Sequence, residues 1–309
     1  MKKIINKIFE RNNLEKVGNI EKINIGFTNE IYSVNDKYIL KICNNLKNEK
    51  DFSKEVYFLD LFKNKIPVAK LIKYDETKSF YEKNYLICEK IDWENLYSVW
   101  HQLNDFERKN IIKQLCNYLK IINKTDYKGY LKKFWKIENL NWQEKIISKI
   151  NNNLDKISLS TEGFSPLKSS ELEKLKNYIN LNKKYLKNSK FWLVHSDIHF
   201  DNILVKDKKI VAILDFEKTE IASIDFVLDI LKRMQENPSK YASEESEKFI
   251  KKQDYKNLLK WFKEFYPELF EFENLEKRLD LYDLEYNLKL LTMFPKEQVL
   301  KENILEIIK

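Results

Sequence analysis

Apolar and polar positions along the first 91 residues change period several times. Residues 1–17 interleave charged and apolar side chains at helical spacing and predict a leading helix. Strand character follows at Ile20–Ile25, Glu30–Val34 and Lys37–Cys43, and the pair Asn35-Asp36 joins the last two as a tight hairpin. Residues 47–63 set Phe52, Val56, Leu59 and Phe62 on one helical face, and strand runs return at Ala69–Tyr74 and Tyr85–Ile91. The pattern predicts a small sheet with one helix packed on it.

From Asp105 the period becomes helical. Asn104-Asp105 offers an N-cap, and Ile111, Leu115, Tyr118, Leu119 and Ile122 recur at helical intervals. Residues 130–190 read as further helices. A short strand at Phe191–Val194 precedes a hairpin in which Ile203–Val205 and Lys209–Leu214 flank Lys206-Asp207-Lys208. Three or four helices finish the chain, one of them carrying Trp261, Phe262 and Phe265. The expected fold class is α+β, and the chain shows no internal repeat.

Length turns this pattern into two lobes, because 309 residues exceed what one core usually serves. Four Gly and five Pro leave no room for a flexible linker. Three cysteines, Cys43, Cys88 and Cys116, lie in apolar runs without metal-ligand spacing, so zinc chemistry is excluded and buried thiols of a cytoplasmic protein are expected. No run reaches the roughly 18 apolar residues of a membrane span.

The formal charge of +8 comes mostly from lysine scattered without a stripe or motif, which argues against a nucleic-acid partner. Its distribution is uneven. Residues 217–309 hold 20 acids against 16 bases, so the first 216 residues carry the whole excess. The basic part suits a polyanionic nucleotide and the acidic part a cation, although scattered solvated charge explains the same numbers.

The densest chemistry lies between His195 and Asp215. Asp197 and Asn202 are five residues apart in a polar loop between two apolar runs, and Asp215 ends the run Ile210–Leu214. Carboxylate and amide oxygens on strand ends are what a hard cation such as Mg²⁺ takes. Phosphoryl transfer further needs a carboxylate to orient the attacking hydroxyl.

His195-x-Asp197-x₄-Asn202 followed by Leu214-Asp215-Phe216 resembles the catalytic and metal loops of the aminoglycoside phosphotransferase and choline kinase superfamily, whose protein-kinase cousins read H-R-D-x₄-N and D-F-G. The resemblance implies a protein-kinase-like two-lobe fold. A small antiparallel-sheet N-lobe with one helix would occupy residues 1–91, and a larger, mainly helical C-lobe residues 92–309. It implies Asp197 as catalytic base and Asn202 and Asp215 as magnesium ligands, with ATP or GTP as donor. His195 would brace the loop, and His199 would either face the nucleotide or be satisfied locally. Lys41 would reach the donor phosphates and pair with Glu55, for which Glu49 and Asp51 are rivals. Gly26, Thr28 and Asn29 would belong to the phosphate-covering turn, with a single Gly where protein kinases have three. Glu89 to Ile91 would form the hinge that meets the base through its backbone, with Trp93 where relatives often have Gly. Asp225 and Asp229 would buttress the catalytic loop or serve as helix N-terminal acids.

The acceptor side is open. Glu264, Glu268, Glu271, Glu273, Glu276, Asp280, Asp283 and Glu285 crowd one stretch with Phe265, Tyr266, Phe270, Phe272, Tyr282 and Tyr286. Glu268 and Glu271 would hold a cationic acceptor such as an aminoglycoside, and the aromatics could add cation–π contacts. An exposed acidic face and ordinary core aromatics fit the same residues. A metabolic kinase of choline, ethanolamine, an amino sugar or a hydroxy amino acid is the alternative enzyme. A silent nucleotide-binding relative would be expected to lose Lys41, Asp197 or Asp215, and all are present. A monomer with no membrane partner is expected.

Overall fold

The computed structural model describes residues 1–23, 29–44, 49–91, 93–134, 140–158, 165–187, 189–241 and 247–309. They form two compact units. The first takes Met1–Ile122, His195–Thr219 and Arg233–Trp261; the second takes Asn123–Val194, Glu220–Lys232 and Phe262–Lys309. Residues 92–122, 195–219 and 233–261 are thus grouped with the N-terminal sheet.

In the first unit, strands β1 (Ile20–Ile23), β2 (Asn29–Val34), β3 (Tyr38–Cys43), β4 (Leu71–Asp75) and β5 (Tyr85–Glu89) make one antiparallel sheet in the order β1-β2-β3-β5-β4. The turn between β2 and β3 holds Asn35 and Asp36 at φ 56° and 52°. Two successive left-handed residues match the twist of a hairpin, and Asn and Asp tolerate that region in a chain poor in glycine.

Two helices cover this sheet, one more than the single packed helix expected for the N-lobe. Helix α1 (Lys2–Arg11) buries Ile5, Ile8 and Phe9 against Tyr32, Val34, Tyr38, Leu40 and Ile42. Helix α2 (Glu49–Phe62) buries Phe52, Phe58, Leu59 and Phe62, together with Lys54 and Glu55. Val56, expected on that face, is only half-buried. The helix is rotated so that a carboxylate faces inward.

Beyond the sheet, helix α3 (Leu96–Trp100) leads to α4 (Asp105–Lys124). Asn104 caps α4: its Oδ1 accepts from the Glu107 N–H, and the Glu107 carboxylate accepts from the Asn104 N–H, both at 3.0 Å. A three-stranded sheet combines β6 (Glu94–Asn95) with the hairpin β8 (Ile203–Lys206) and β9 (Lys209–Ile213). Its turn again places two non-glycine residues, Asp207 and Lys208, at positive φ. Helix α9 (Leu258–Phe265) begins at the end of this unit.

The second unit is mainly helical. Helices α5 (Lys128–Phe134), α6 (Trp142–Ser158), α7 (Ser169–Asn182), α8 (Val227–Glu236), α10 (Leu275–Met293) and α11 (Gln298–Ile307) accompany a two-stranded sheet of β7 (Phe191–His195) and β10 (Thr219–Ser223). Among the described residues no helix is long and apolar enough to cross a membrane.

Candidate active site

Alternation along β3 decides which way Lys41 points. Tyr38, Leu40 and Ile42 join the α1 core, so Lys41 projects from the opposite face of the sheet, where α2 lies. There its Nζ donates to both Glu55 oxygens at 2.8 Å. The rivals are engaged elsewhere: Glu49 pairs with Lys78, and Asp51 with Lys54 and Lys218. Lys41 Nζ also lies 3.8 Å from Asp215 Oδ1. Burial alone would lower the Lys41 pKa, but Glu55 and Asp215 outweigh it and raise it, so the ammonium stays charged. Burial raises the Glu55 carboxyl against the pull of Lys41, and Asp215 adds to the rise.

The loop from His195 to Asn202 is stitched to the loop that carries Asp215. His195 is fully buried. Its Nε2 donates to Leu214 O at 2.9 Å, and its Nδ1 accepts from the Asp197 N–H at 3.3 Å. These two bonds require the neutral ring protonated on Nε2, and burial favours it by pushing the His195 pKa down. The Leu214 N–H donates to Asn202 O at 2.8 Å. With Ile203 paired to Ile213 in the hairpin, Asn202 and Asp215 stand at the same end of the same two strands.

Asn202 is buried, and its Nδ2 donates to Asp197 O at 2.8 Å and meets His199 Nε2 at 3.2 Å. Both contacts use the amide nitrogen rather than the carboxamide oxygen. Asp197 keeps its side chain 35% exposed, with Oδ1 3.7 Å from His199 Nε2. His199 is therefore engaged within its own loop.

Asp215 adopts φ 60° and ψ 60°, left-handed backbone for a residue with a Cβ. That conformation costs about 1 kcal/mol or more and persists because its neighbours are held. Phe216 is fully buried, with its ring 5.4 Å from Phe62, 6.5 Å from Phe58 and 4.9 Å from His195. Asp215 Oδ1 is buried without a hydrogen-bond partner among the described residues. Such an atom calls for an explanation, and a bound cation supplies one. Together with the Asn202 carboxamide, the donors are hard oxygens on rigid strand ends, which fits a small divalent cation.

The sequence reading missed Glu217. Its carboxylate lies within 4.8 Å of those of Glu55 and Asp215, and burial, reinforced by Asp215, raises its pKa. The available signal was an acid two residues after Asp215, where D-F-G has glycine.

Other expected residues divide. Gly26 and Thr28 lie outside the described residues, and Asn29 begins β2. In the expected hinge, the Glu89 N–H is used by Lys70 O and the Lys90 N–H by Lys37 O, which leaves the Ile91 N–H as the donor without such a bond among the described residues. Trp93 is partly exposed, with Lys206 Nζ 3.5 Å from its ring centroid. Asp225 is fully buried in the second unit, bonded by Arg278, Ser223 and Tyr282.

The acidic stretch is heterogeneous. Glu268 and Glu271 are exposed, whereas Asp280 accepts from Tyr178 and Lys277, and Asp283 pairs with Lys232. Tyr266 and Tyr282 are buried and hydrogen-bonded, to Asn123 and to Trp142 with Asp225. They are core residues rather than cation–π donors for a ligand.

Known proteins supply an independent comparison. The profile of the phosphotransferase enzyme family matches residues 19–227. A search of curated proteins finds no sequence match. Among solved structures, ADP-bound aminoglycoside phosphotransferase APH(2'')-Ib is similar with a TM-score of 0.72 at 14% identity, over 99% of this chain and 96% of its own. The streptomycin-ATP-APH(2'')-IIa ternary complex gives 0.70 at 15% identity, over 98% and 95%. The GDP and kanamycin complex of APH(2'')-IIia gives 0.69 at 14%, over 99% and 97%. At these identities the likeness speaks for the fold, which is the kinase-like α+β fold of these enzymes. The profile covers most of the chain, and the chain belongs to the phosphotransferase enzyme family.

Proposed function

We propose that this phosphotransferase moves the γ-phosphoryl group of ATP or GTP to a hydroxyl of a small cationic molecule, of the aminoglycoside class. The observation that carries the reading is the charged Lys41 ammonium between Glu55 and Asp215, beside a loop that offers Asp197 at the surface. Lys41 binds donor phosphate oxygens. Asp197 orients the acceptor hydroxyl and takes its proton as the oxygen–phosphorus bond forms and the nucleoside diphosphate leaves. His195 keeps the Asp197 backbone fixed from a buried, neutral ring. Asn202 and Asp215 would hold magnesium, which supplies charge neutralisation on the phosphates.

For the acceptor, support comes from the exposed carboxylates Glu268 and Glu271, which suit amines, and from the aminoglycosides named with two similar structures. The residues 1–91 would bind the nucleotide in this scheme, and the protein would act in the cytoplasm as a monomer. A panel of aminoglycosides and small amino alcohols, incubated with ATP or GTP and Mg²⁺, tests the reading through acceptor-dependent release of nucleoside diphosphate. Response to aminoglycosides alone supports it. Response to choline-like or ethanolamine-like acceptors alone replaces it with a metabolic kinase, and binding of nucleotide without turnover on any acceptor replaces it with a silent relative.

A further inference from the structure

Glu217 is 5% exposed and shares a 4.8 Å neighbourhood with the carboxylates of Glu55 and Asp215. A third carboxylate in that place adds desolvation and like-charge repulsion, which a glycine would avoid. What the side chain touches explains its presence. Asn29 Nδ2 donates to Glu217 Oε2 at 3.2 Å across 188 residues of sequence. Lys218 Nζ lies 3.5 Å from Glu217 Oε1 and donates to Asp51 Oδ2, on the first turn of α2, at 3.1 Å.

The segment Phe216–Lys218 is thus attached in three directions. Phe216 packs on Phe58 and Phe62 of α2, Lys218 reaches the start of the same helix, and Glu217 holds the first residue of β2. The partners on β2 and β3 are in register, with Asn29 opposite Cys43 and Ile31 opposite Lys41. Fixing Asn29 therefore fixes the strand that flanks Lys41, while the same three-residue segment follows directly on the left-handed Asp215.

We propose that Glu217 is a positioning residue: through Asn29 it pins the start of β2 to the Asp215 loop and keeps Lys41 and Asp215 in register. The proposal rests on the phosphotransfer reading for its kinetic consequence and on geometry alone for its structural one. Glu217→Ala removes the acceptor of the Asn29 bond. Glu217→Gln keeps an oxygen acceptor and removes the charge.

The expected result is a kcat about 10- to 100-fold lower in Glu217→Ala, the scale of a small misplacement of reacting groups, with acceptor KM little changed. Amide exchange across residues 29–31 rises in the same variant. Glu217→Gln restores most of the rate and of the protection, and Asn29→Ala combined with Glu217→Ala is no slower than Glu217→Ala alone, because both remove one shared contact. If Glu217→Gln is as slow as Glu217→Ala and both need more Mg²⁺, the charge matters as a third metal ligand and the pin is wrong. Unchanged exchange at 29–31 in both Glu217→Ala and Asn29→Ala also overturns it. Should wild-type protein transfer phosphate to no acceptor, the phosphotransfer reading fails while the exchange comparison still decides the pin; if Glu217→Ala does not fold, Asn29→Ala and Glu217→Gln carry the same comparison.

Discussion

Two buried charge clusters in this protein are built on opposite plans. In the second unit Arg278, 1% exposed, gives Nε and Nη2 to the two Asp225 oxygens at 2.6 and 2.8 Å. Its Nη1 donates to Tyr185 O, Nη2 also reaches Ser223 and Tyr282, and the guanidinium lies over the Phe272 ring. Tyr282 in turn donates to Asp225 and accepts from Trp142. One cation meets one carboxylate, and the remaining polar atoms find partners. Around Lys41, by contrast, three carboxylates gather, with Lys41 bonded to Glu55 and Lys218 3.5 Å from Glu217, and Asp215 Oδ1 has no hydrogen bond among the described residues. A closed network specifies a core. An open one leaves a buried carboxylate oxygen without a hydrogen bond, which is the kind of atom that marks a candidate functional site.

The contrast can be broken experimentally. Asp197→Asn should lower kcat by about 10²- to 10⁴-fold, the worth of a positioned base, while the denaturation midpoint and nucleotide affinity stay near wild type. A normal kcat would remove Asp197 from the chemistry. Arg278→Met should do the reverse, destabilising the protein by about 3–5 kcal/mol because Asp225 is left buried and unpaired. A loss below about 1 kcal/mol in urea unfolding would show that the second cluster is not closed in the sense argued.

Lys41→Ala should cost about 10²-fold in kcat/KM for the nucleotide, comparable to removing one preorganised donor from a reacting oxygen. An unchanged value would mean that the phosphates bind elsewhere. The smallest effect belongs to a carboxylate outside both clusters. Glu171 accepts from the Lys168 N–H at 2.7 Å and pairs with Lys301 at 3.1 Å. Slight burial opposes these contacts, but they prevail and hold its pKa below the ordinary glutamate value. A depressed folded-state pKa contributes stability that is complete above about pH 4.5 and disappears as pH falls through the folded value. Glu171→Gln should therefore flatten the acid limb of the stability curve, with a loss of about 0.5 kcal/mol at neutral pH. An unaltered limb would assign that acid sensitivity to other groups.

Much of the local structure was legible in the sequence. The hairpin at Asn35-Asp36, the cap at Asn104 and the strands around the 203–213 hairpin follow from turn chemistry, side-chain capping and period. The helix at 49–62 was legible as a helix but not in its rotation, since Val56 and Phe58 lie about 200° apart around it and packing turned the Phe58 side inward. Arg278 stands in an acidic stretch of the sequence, and its burial depends on Asp225, 53 positions earlier. Tyr266 and Tyr282 could have lined a ligand pocket by composition, yet their hydroxyls are used inside the core.

The sequence alone determined the order of chemical groups: a strand lysine, then an aspartate, an amide and a second aspartate at spacings that two strands and a turn can serve. Those are covalent facts, set by side-chain type and by the two-residue period of a strand. Tertiary structure decided the pairings. It chose Glu55 over Glu49 and Asp51 for Lys41, brought Glu217 against Asn29, and left Asp215 Oδ1 without a hydrogen bond among the described residues. The physical reason is that a buried charge takes its partner from whatever the fold packs beside it, and neighbours in space across 14 or 188 residues are set by core packing rather than by any spacing along the chain.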